Sequence, residues 1–337
     1  MQCIIVCHAG MGIGVGHLTR SLVIANALNN KFKCDILFLI QGNYIEREDL
    51  KRYNVKFISF IDDLASNVRE IFNTSVKQLF VFDIYHGGIS NNFLDLLVEM
   101  QKSNCISIGV DALIKFNSLL DMVFMPTFKN QPIPMIGSNT KIISGWDCFL
   151  LNTKRKAPLE IKRGRNILVL TGGSDATGLG KTFPNLLNKF LADSNVEINW
   201  VIGPFAVPPI LIDNHKGKWV FHQAPNSLDD LMINTNFAIS VYGVSFYELL
   251  HYGIPTVVFS PYGNKDDEEL AIIRNEEVAL VASNEMDAIE KVKNLMSDGL
   301  LSSALSQNGK KKLADSSGQR FVTEINEIIK RKWLKAN

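Results

Sequence analysis

The chain has 337 residues, 46% hydrophobic and 20% charged, with 35 Lys and Arg against 34 Asp and Glu for a formal charge of +1. That length predicts two domains, each with its own core, and the even charge balance excludes a protein that holds nucleic acid through a dominant basic face. The five cysteines, Cys3, Cys7, Cys34, Cys105 and Cys148, lie mostly in apolar runs and form no Cys-x-x-Cys pair, which argues against disulfides and against a zinc site.

The opening segment carries no basic leader, and its apolar run ends at His8, so it reads as a first strand rather than a signal peptide. No apolar run reaches the ~18 residues of a membrane span. A cytoplasmic location is expected. The basic segment Lys330–Asn337 reads as a solvated helix end, with at most peripheral membrane contact.

Short β-branched runs alternate with longer helical stretches, the pattern of a parallel sheet with crossover helices. Strands are predicted at Gln2–Cys7, Cys34–Ile40, Val55–Phe60, Gln78–Phe82, Cys105–Val110 and Asp121–Met125, and helices at His17–Leu28 and Asn91–Met100. Residues 152–165, with six basic residues, a proline and a glycine, read as a linker. The same alphabet then restarts, with strands at Asn166–Leu170, Glu197–Ile202, Lys218–His222, Phe237–Ser240, Ile254–Phe259 and Val278–Val281. A helix is expected after the first of these, through about Leu191, and Met286–Trp333 reads as helical with one break around Asp315–Ser317.

The expected division is an N-terminal Rossmann-like domain over 1–151, a linker over 152–165, a nucleotide-binding Rossmann-like domain over 166–315, and a helix over 316–337. That helix should pack back on the first domain, because Phe321, Ile325, Ile328, Ile329 and Trp333 need an apolar partner.

The most informative stretch is His8–Arg20. Gly10, Gly12, Gly14 and Gly16 follow a buried strand and open a helix near His17, so the backbone can pass close to a ligand and offer free N–H groups. A dinucleotide fingerprint would want glycine at 17 and an acid ending the second strand; His17 and Gln41 stand there instead. At a helix N-terminus the dipole disfavours imidazolium, which makes His17 a candidate general base, the alternative being a polar cap on its own helix. Further along, a buried strand ends in Asp83, Tyr85 and His86. Any of the three could face a ligand, and Asp83 could equally orient a backbone turn.

In the second half, Gly172, Gly173, Ser174 and Asp175 form a strand-to-helix loop suited to a diphosphate. The later Gly180-Lys181-Thr182 is not a P-loop, since the first glycine that motif requires falls at Asp175. Tyr242, Gly243, Val244 and Ser245 turn from a strand into a short helix carrying Glu248, a carboxylate placed to accept from ribose hydroxyls or to meet the helix dipole. Gly203, Asn264 and Asp267, in loops after later strands, complete the ligand-binding candidates. No cofactor is expected, and no metal, because no Asp-x-Asp stands at a strand end.

Taken together, these segments resemble the nucleotide-sugar hydrolase of the pseudaminic acid pathway and its spore-coat-polysaccharide relatives. Gly12–Arg20 looks like that family's Ile-Gly-x-Gly-His-x-x-Arg signature, Asp83-Ile84-Tyr85 like its Asp-x-Tyr strand end, Thr171–Asp175 like its Gly-Gly-Ser-Asp loop, and Ser245–Glu248 like its uridine-binding helix. The resemblance implies an α/β, GT-B-type fold with two Rossmann-like domains facing across a cleft. It also implies that Gly14, Gly16, Arg20 and His86 contact substrate, that His17 activates water, that Tyr85 assists at the sugar, and that Glu248 holds the ribose. The chain departs from the pattern at Tyr242-Gly243-Val244, where many members have Gly-Gly-Ser. It departs again at Asn264–Asp267, where they have Asn-Gln, and at Asp111-Ala112, where they have two acids.

Three functions follow. Water attack on a nucleotide-activated sugar makes the chain a hydrolase of surface-glycan biosynthesis. An acceptor hydroxyl in place of water makes it a glycosyltransferase with a UDP- or CMP-linked donor and a glycan acceptor, for which fold and base serve equally. A non-catalytic sugar-nucleotide-binding subunit has no need of a base at His17.

Overall fold

The computed structural model describes residues 1–85, 89–129, 140–153, 164–191, 195–211, 218–225, 227–313 and 318–334. The chain divides into two compact units, one of Met1–Asn152 with Asp315–Asn337, the other of Thr153–Ala314.

The first unit is a parallel sheet of β1 (Gln2–Ala9), β2 (Asp35–Gly42), β3 (Asn54–Ile58), β4 (Gln78–Asp83), β5 (Ile106–Val110), β6 (Met122–Met125) and β7 (Lys141–Ser144), in the order β3-β2-β1-β4-β5-β6-β7. Its central strands β1, β2, β4 and β5 are apolar through their middles because both faces are covered. On β1, Cys3, Ile5, Cys7 and Ala9 face the layer of α1 (Gly16–Phe32), while Ile4 and Val6 face α2 (Leu64–Arg69) and α3 (Asn91–Gln101). The strand order reverses at β1 and β4, so the carboxyl ends of these two strands open the crevice where doubly wound sheets bind ligands. His8 and the glycine loop leave β1 there, and Asp83 and Tyr85 leave β4.

The second unit repeats the design. Its sheet contains β8 (Asn166–Leu170), β9 (Glu197–Ile202), β10 (Lys218–Gln223), β11 (Phe237–Val241), β12 (Thr256–Phe259) and β13 (Leu280–Val281), in the order β10-β9-β8-β11-β12-β13. The reversal falls at β8 and β11, whose ends carry Gly172 and Tyr242. The sheet packs on one side against α4 (Phe183–Leu191) and α8 (Glu285–Ser297), and on the other against α5 (Asp229–Ile233) and α6 (Val244–Tyr252).

Several predicted elements shift. The helix expected directly after the Gly172 loop is a turn of 3-10 helix at Leu179–Lys181, with α4 starting only at Phe183. Gly178 in a left-handed conformation (φ 71°) breaks the segment. The strand expected from Ile254 begins at Thr256, because the N–H of Ile254 bonds Leu249 O and Pro255 has none to offer. The edge strand β7 escapes the sequence pattern, being four residues long. The tail has a break not expected from its periodicity: α8 ends before Asp298, which caps α9 (Gly299–Lys312) by accepting from the N–H groups of Leu300 and Leu301. The predicted break near Asp315–Ser317 and most of the predicted linker lie outside the described residues.

The last helix, α10 (Gln319–Ile329), joins the α1 side of the first unit. Phe321 meets Phe124 edge-on with ring centroids 5.0 Å apart, and the Trp333 indole N–H donates to Asn104 O at 2.6 Å. Among the described residues, no helix is long and apolar enough to cross a membrane.

Candidate active site

The loop after β1 is a closed turn. Gly10 and Gly14 exchange backbone hydrogen bonds of 3.0 and 2.7 Å, and Gly12 and Gly14 sit at φ 80° and 79°, a region that favours glycine. Gly14 is buried and Gly16 half-buried at the start of α1. The Thr19 N–H closes on Val15 O at 2.9 Å, so the N–H groups of Gly16, His17 and Leu18 precede the first bond of the helical ladder.

His17 stands on the first turn of α1 with its side chain 19% exposed. Its Nδ1 lies 2.7 Å from Asp83 Oδ1. Asp83, the last residue of β4, is fully buried and gripped from the other side by Arg20, which donates from Nε to Oδ2 (2.8 Å) and from Nη2 to Oδ1 (2.6 Å). Burial alone pushes the Asp83 carboxyl up, but the Arg20 guanidinium and the His17 ring outweigh it and hold the group well below the usual carboxylate range. An ionised Asp83 is acceptor-only, so the proton of a neutral His17 sits on Nδ1 and the lone pair on Nε2. Nε2 has no hydrogen-bond partner among the described residues. This is an imidazole with its tautomer fixed.

Two expectations change here. Arg20, expected to touch substrate, is 7% exposed, with its guanidinium occupied by Asp83 and by Asp111 Oδ2 at 3.1 Å. Asp83, expected among the reacting groups, has no exposed surface and acts on His17 from behind. Asp111 itself adopts φ 58°, rare for a non-glycine residue, directly after β5.

Sequence reasoning missed His8. Its Nδ1 accepts from the Tyr85 backbone N–H (2.9 Å), which places its proton on Nε2 for donation to Gln41 Oε1 (3.1 Å). Burial, and then the nearby His17, lower its pKa to about 4, so the ring is neutral. Its ring centroid lies 6.5 Å from that of His17. An imidazole closing a buried strand immediately before a glycine loop was the available signal. Beside it opens a cavity of about 340 Å³ lined by His8, Ile13, Gln41, Phe60, Asp62 and Tyr85, among others. Tyr85 is 47% exposed at its rim. His86 lies outside the described residues.

In the second unit, Gly172 (φ 89°) is exposed and Gly173 and Ser174 are half-exposed at the end of β8. Gly203, expected to contact ligand, is buried. A Cβ there would stand 2.4 Å from Gly173 O and 2.6 Å from Gly172 O, so its role is to let the two loops touch. Asp175 is likewise turned inward: its two carboxylate oxygens accept from the N–H groups of Leu179 (2.9 Å) and Gly180 (2.8 Å). Tyr242, Gly243, Val244 and Ser245 are half-exposed where β11 enters α6, and the Tyr242 and Tyr247 hydroxyls are 2.7 Å apart. Glu248 is on the second turn of α6, 7% exposed. Asn264 and Asp267 are exposed, in the turn Gly263–Asp266 and at the first position of α7 (Asp267–Asn275).

No family model matches the chain. The uncharacterized protein MJ1062 of Methanocaldococcus jannaschii is 26% identical over 290 residues, 77% of this chain and 55% of that protein. The chain thus spans about half the length of the curated relative it matches. Among solved structures it is similar to the spinosyn forosaminyltransferase SpnP (TM-score 0.66, 10% identity, 98% of this chain and 99% of that one). It is also similar to Phytolacca americana UGT2, solved with UDP-2-fluoro-glucose and pterostilbene (TM-score 0.62, 13% identity, 98% and 99%). A third is Acinetobacter baumannii MurG (TM-score 0.60, 12% identity, 97% and 100%). These likenesses establish the fold: two Rossmann-like domains of GT-B type.

Proposed function

We propose that the chain is a glycosyltransferase that moves a sugar from a nucleotide-activated donor to an acceptor hydroxyl, with His17 as the general base. The base assignment rests on the His17–Asp83 contact of 2.7 Å at the reversal point of the first sheet, and the preference for transfer draws on the fold likeness to SpnP, UGT2 and MurG. His17 Nε2 takes the acceptor proton, the oxygen attacks the anomeric carbon, and the nucleoside diphosphate departs. Asp83 steadies the imidazolium that forms. On this reading the Gly172–Ser174 loop and the start of α6 receive the diphosphate through backbone N–H groups, Glu248 holds the ribose, and Tyr85 assists at the sugar. The fold likeness to UGT2, solved with a UDP-sugar analogue, favours UDP as the nucleotide.

A second reading, hydrolysis with water as nucleophile in surface-glycan biosynthesis, draws on the resemblance carried by Gly12–Arg20, Asp83–Tyr85, Thr171–Asp175 and Ser245–Glu248. One experiment separates the two. The purified protein is incubated with UDP- and CMP-linked sugars, with and without a panel of glycan acceptors. Acceptor-dependent release of nucleotide supports transfer, and equal release without acceptor supports hydrolysis. In either reaction His17→Asn should lower kcat by about 10²–10⁴-fold while nucleotide affinity holds. Near-full turnover in that variant makes His17 a helix cap and removes the proposal. Glu248→Ala should weaken nucleotide binding by about 1–3 kcal/mol in calorimetry.

A further inference from the structure

At the opposite end of β1 from His17, the Sγ atoms of Cys3 and Cys34 stand 3.0 Å apart. Cys3 is the second residue of β1 and wholly buried; Cys34 immediately precedes β2 and is partly exposed. The parallel register pairs Cys3 with Ile36, so Cys34 lies diagonally across from Cys3, and the left-handed turn at Lys33 (φ 48°) precedes it. The separation exceeds a disulfide bond of about 2.04 Å by only about 1 Å. Closing that gap calls for rotation of the two side chains together with an inward shift of Cys34, which precedes the first residue of β2. We infer that Cys3 and Cys34 are a modification site, a dithiol that a peroxide converts reversibly into a disulfide.

The two thiols have different roles. Cys3 donates its S–H to Cys34, and that bond lowers the Cys34 thiol below its ordinary value while raising that of Cys3, which burial raises further. Cys34, accessible and the readier thiolate, attacks the peroxide O–O bond, forming a sulfenic acid and releasing hydroxide or water. Cys3 sulfur then attacks the Cys34 sulfur, its proton leaves with the departing hydroxyl as water, and the S–S bond closes. Two thiols supply two electrons, and one hydrogen peroxide becomes two waters. A dithiol reductant reverses the reaction by exchange. Cys7, Cys105 and Cys148 are buried, their thiols pushed up by burial, and no other sulfur pairing joins them among the described residues.

The ring that closes holds β1, the glycine loop and all of α1, so the link shortens the unfolded chain across the segment that carries His17. The test uses the full chain, treated with stoichiometric hydrogen peroxide, quenched by alkylation in denaturant, and mapped by peptide mass spectrometry. Expected are a 3–34 linked peptide, loss of two of the five alkylatable thiols, recovery of both with dithiothreitol, and a rise in Tm of several degrees. Cys34→Ser should abolish the linked peptide and leave Cys3 alkylatable. The proposal is overturned if all five thiols survive peroxide, or if Cys34 proceeds to sulfinic acid while Cys3 stays reduced.

Discussion

Asp83 and His17, 66 residues apart in the chain, meet at 2.7 Å with the carboxylate wholly buried and the imidazole partly exposed. The contact runs one way: Asp83 sets which nitrogen of His17 carries the proton. Asp83→Asn keeps the shape but presents an amide that can donate to Nδ1 and thereby stabilise the wrong tautomer. Turnover should fall by about 10²–10⁴-fold with nucleotide affinity retained, as read by steady-state kinetics beside calorimetry. Unchanged kcat in a folded variant would show that the tautomer is set elsewhere.

Arg20 makes the same carboxylate affordable to bury. Removing the guanidinium in Arg20→Met strands a fully buried anion and should cost about 3–5 kcal/mol in urea unfolding. The double variant Arg20→Met/Asp83→Asn removes both charges and should recover much of that loss. Additive losses in the double variant would mean that the two groups do not act as a pair.

His8 gives the fold a dependence on pH. Its folded pKa of about 4 lies below the ordinary value of 6.5, so between these values the unfolded chain binds a proton that the folded chain refuses. Its contribution is fully present above pH 6.5 and is lost as pH falls toward 4, a change of about 3 kcal/mol. Stability measured across that window should decline less steeply in His8→Gln. Parallel curves for the two proteins would contradict the assignment.

Much of this was legible in residue order. The bounds of β8 and β9 match the predicted runs Asn166–Leu170 and Glu197–Ile202, because polar Asn166 and Glu197 mark where each mostly buried apolar stretch begins. The glycine loop and His17 stood out because four glycines and an imidazole in eight residues have few structural explanations. The inward roles of Arg20 and Asp175 were hidden. The first depends on a partner 63 residues away, and the second on a left-handed backbone (φ 43°) that turns the carboxylate onto its own loop. His8 passed as the residue just beyond the predicted strand Gln2–Cys7, since its acceptor role depends on the N–H of Tyr85, 77 residues later.

Gly203 supplies a test of the second unit. Gly203→Ala drives a methyl group against the carbonyls of Gly172 and Gly173, and backbone cannot yield as a side-chain tip can. A loss of about 1–3 kcal/mol is expected, with weaker nucleotide binding as the loop is displaced. Thermal melts and calorimetry on one preparation read both. A variant indistinguishable from wild type in both would show that the loop accommodates the methyl.

The position of α10 bears on how the protein is made. The core of the first unit contains Phe321, Ile325 and Trp333 alongside residues of β1 and α1, yet Thr153–Ala314 intervene in the chain. A ribosome therefore delivers every residue of the second unit before the first can close its apolar layer. Until then the face of α1 that receives α10 waits uncovered, and a nascent chain stalled near residue 314 would present it to chaperones. The second unit, uninterrupted in sequence, has no such delay, so the later half of the chain is the half equipped to finish folding first.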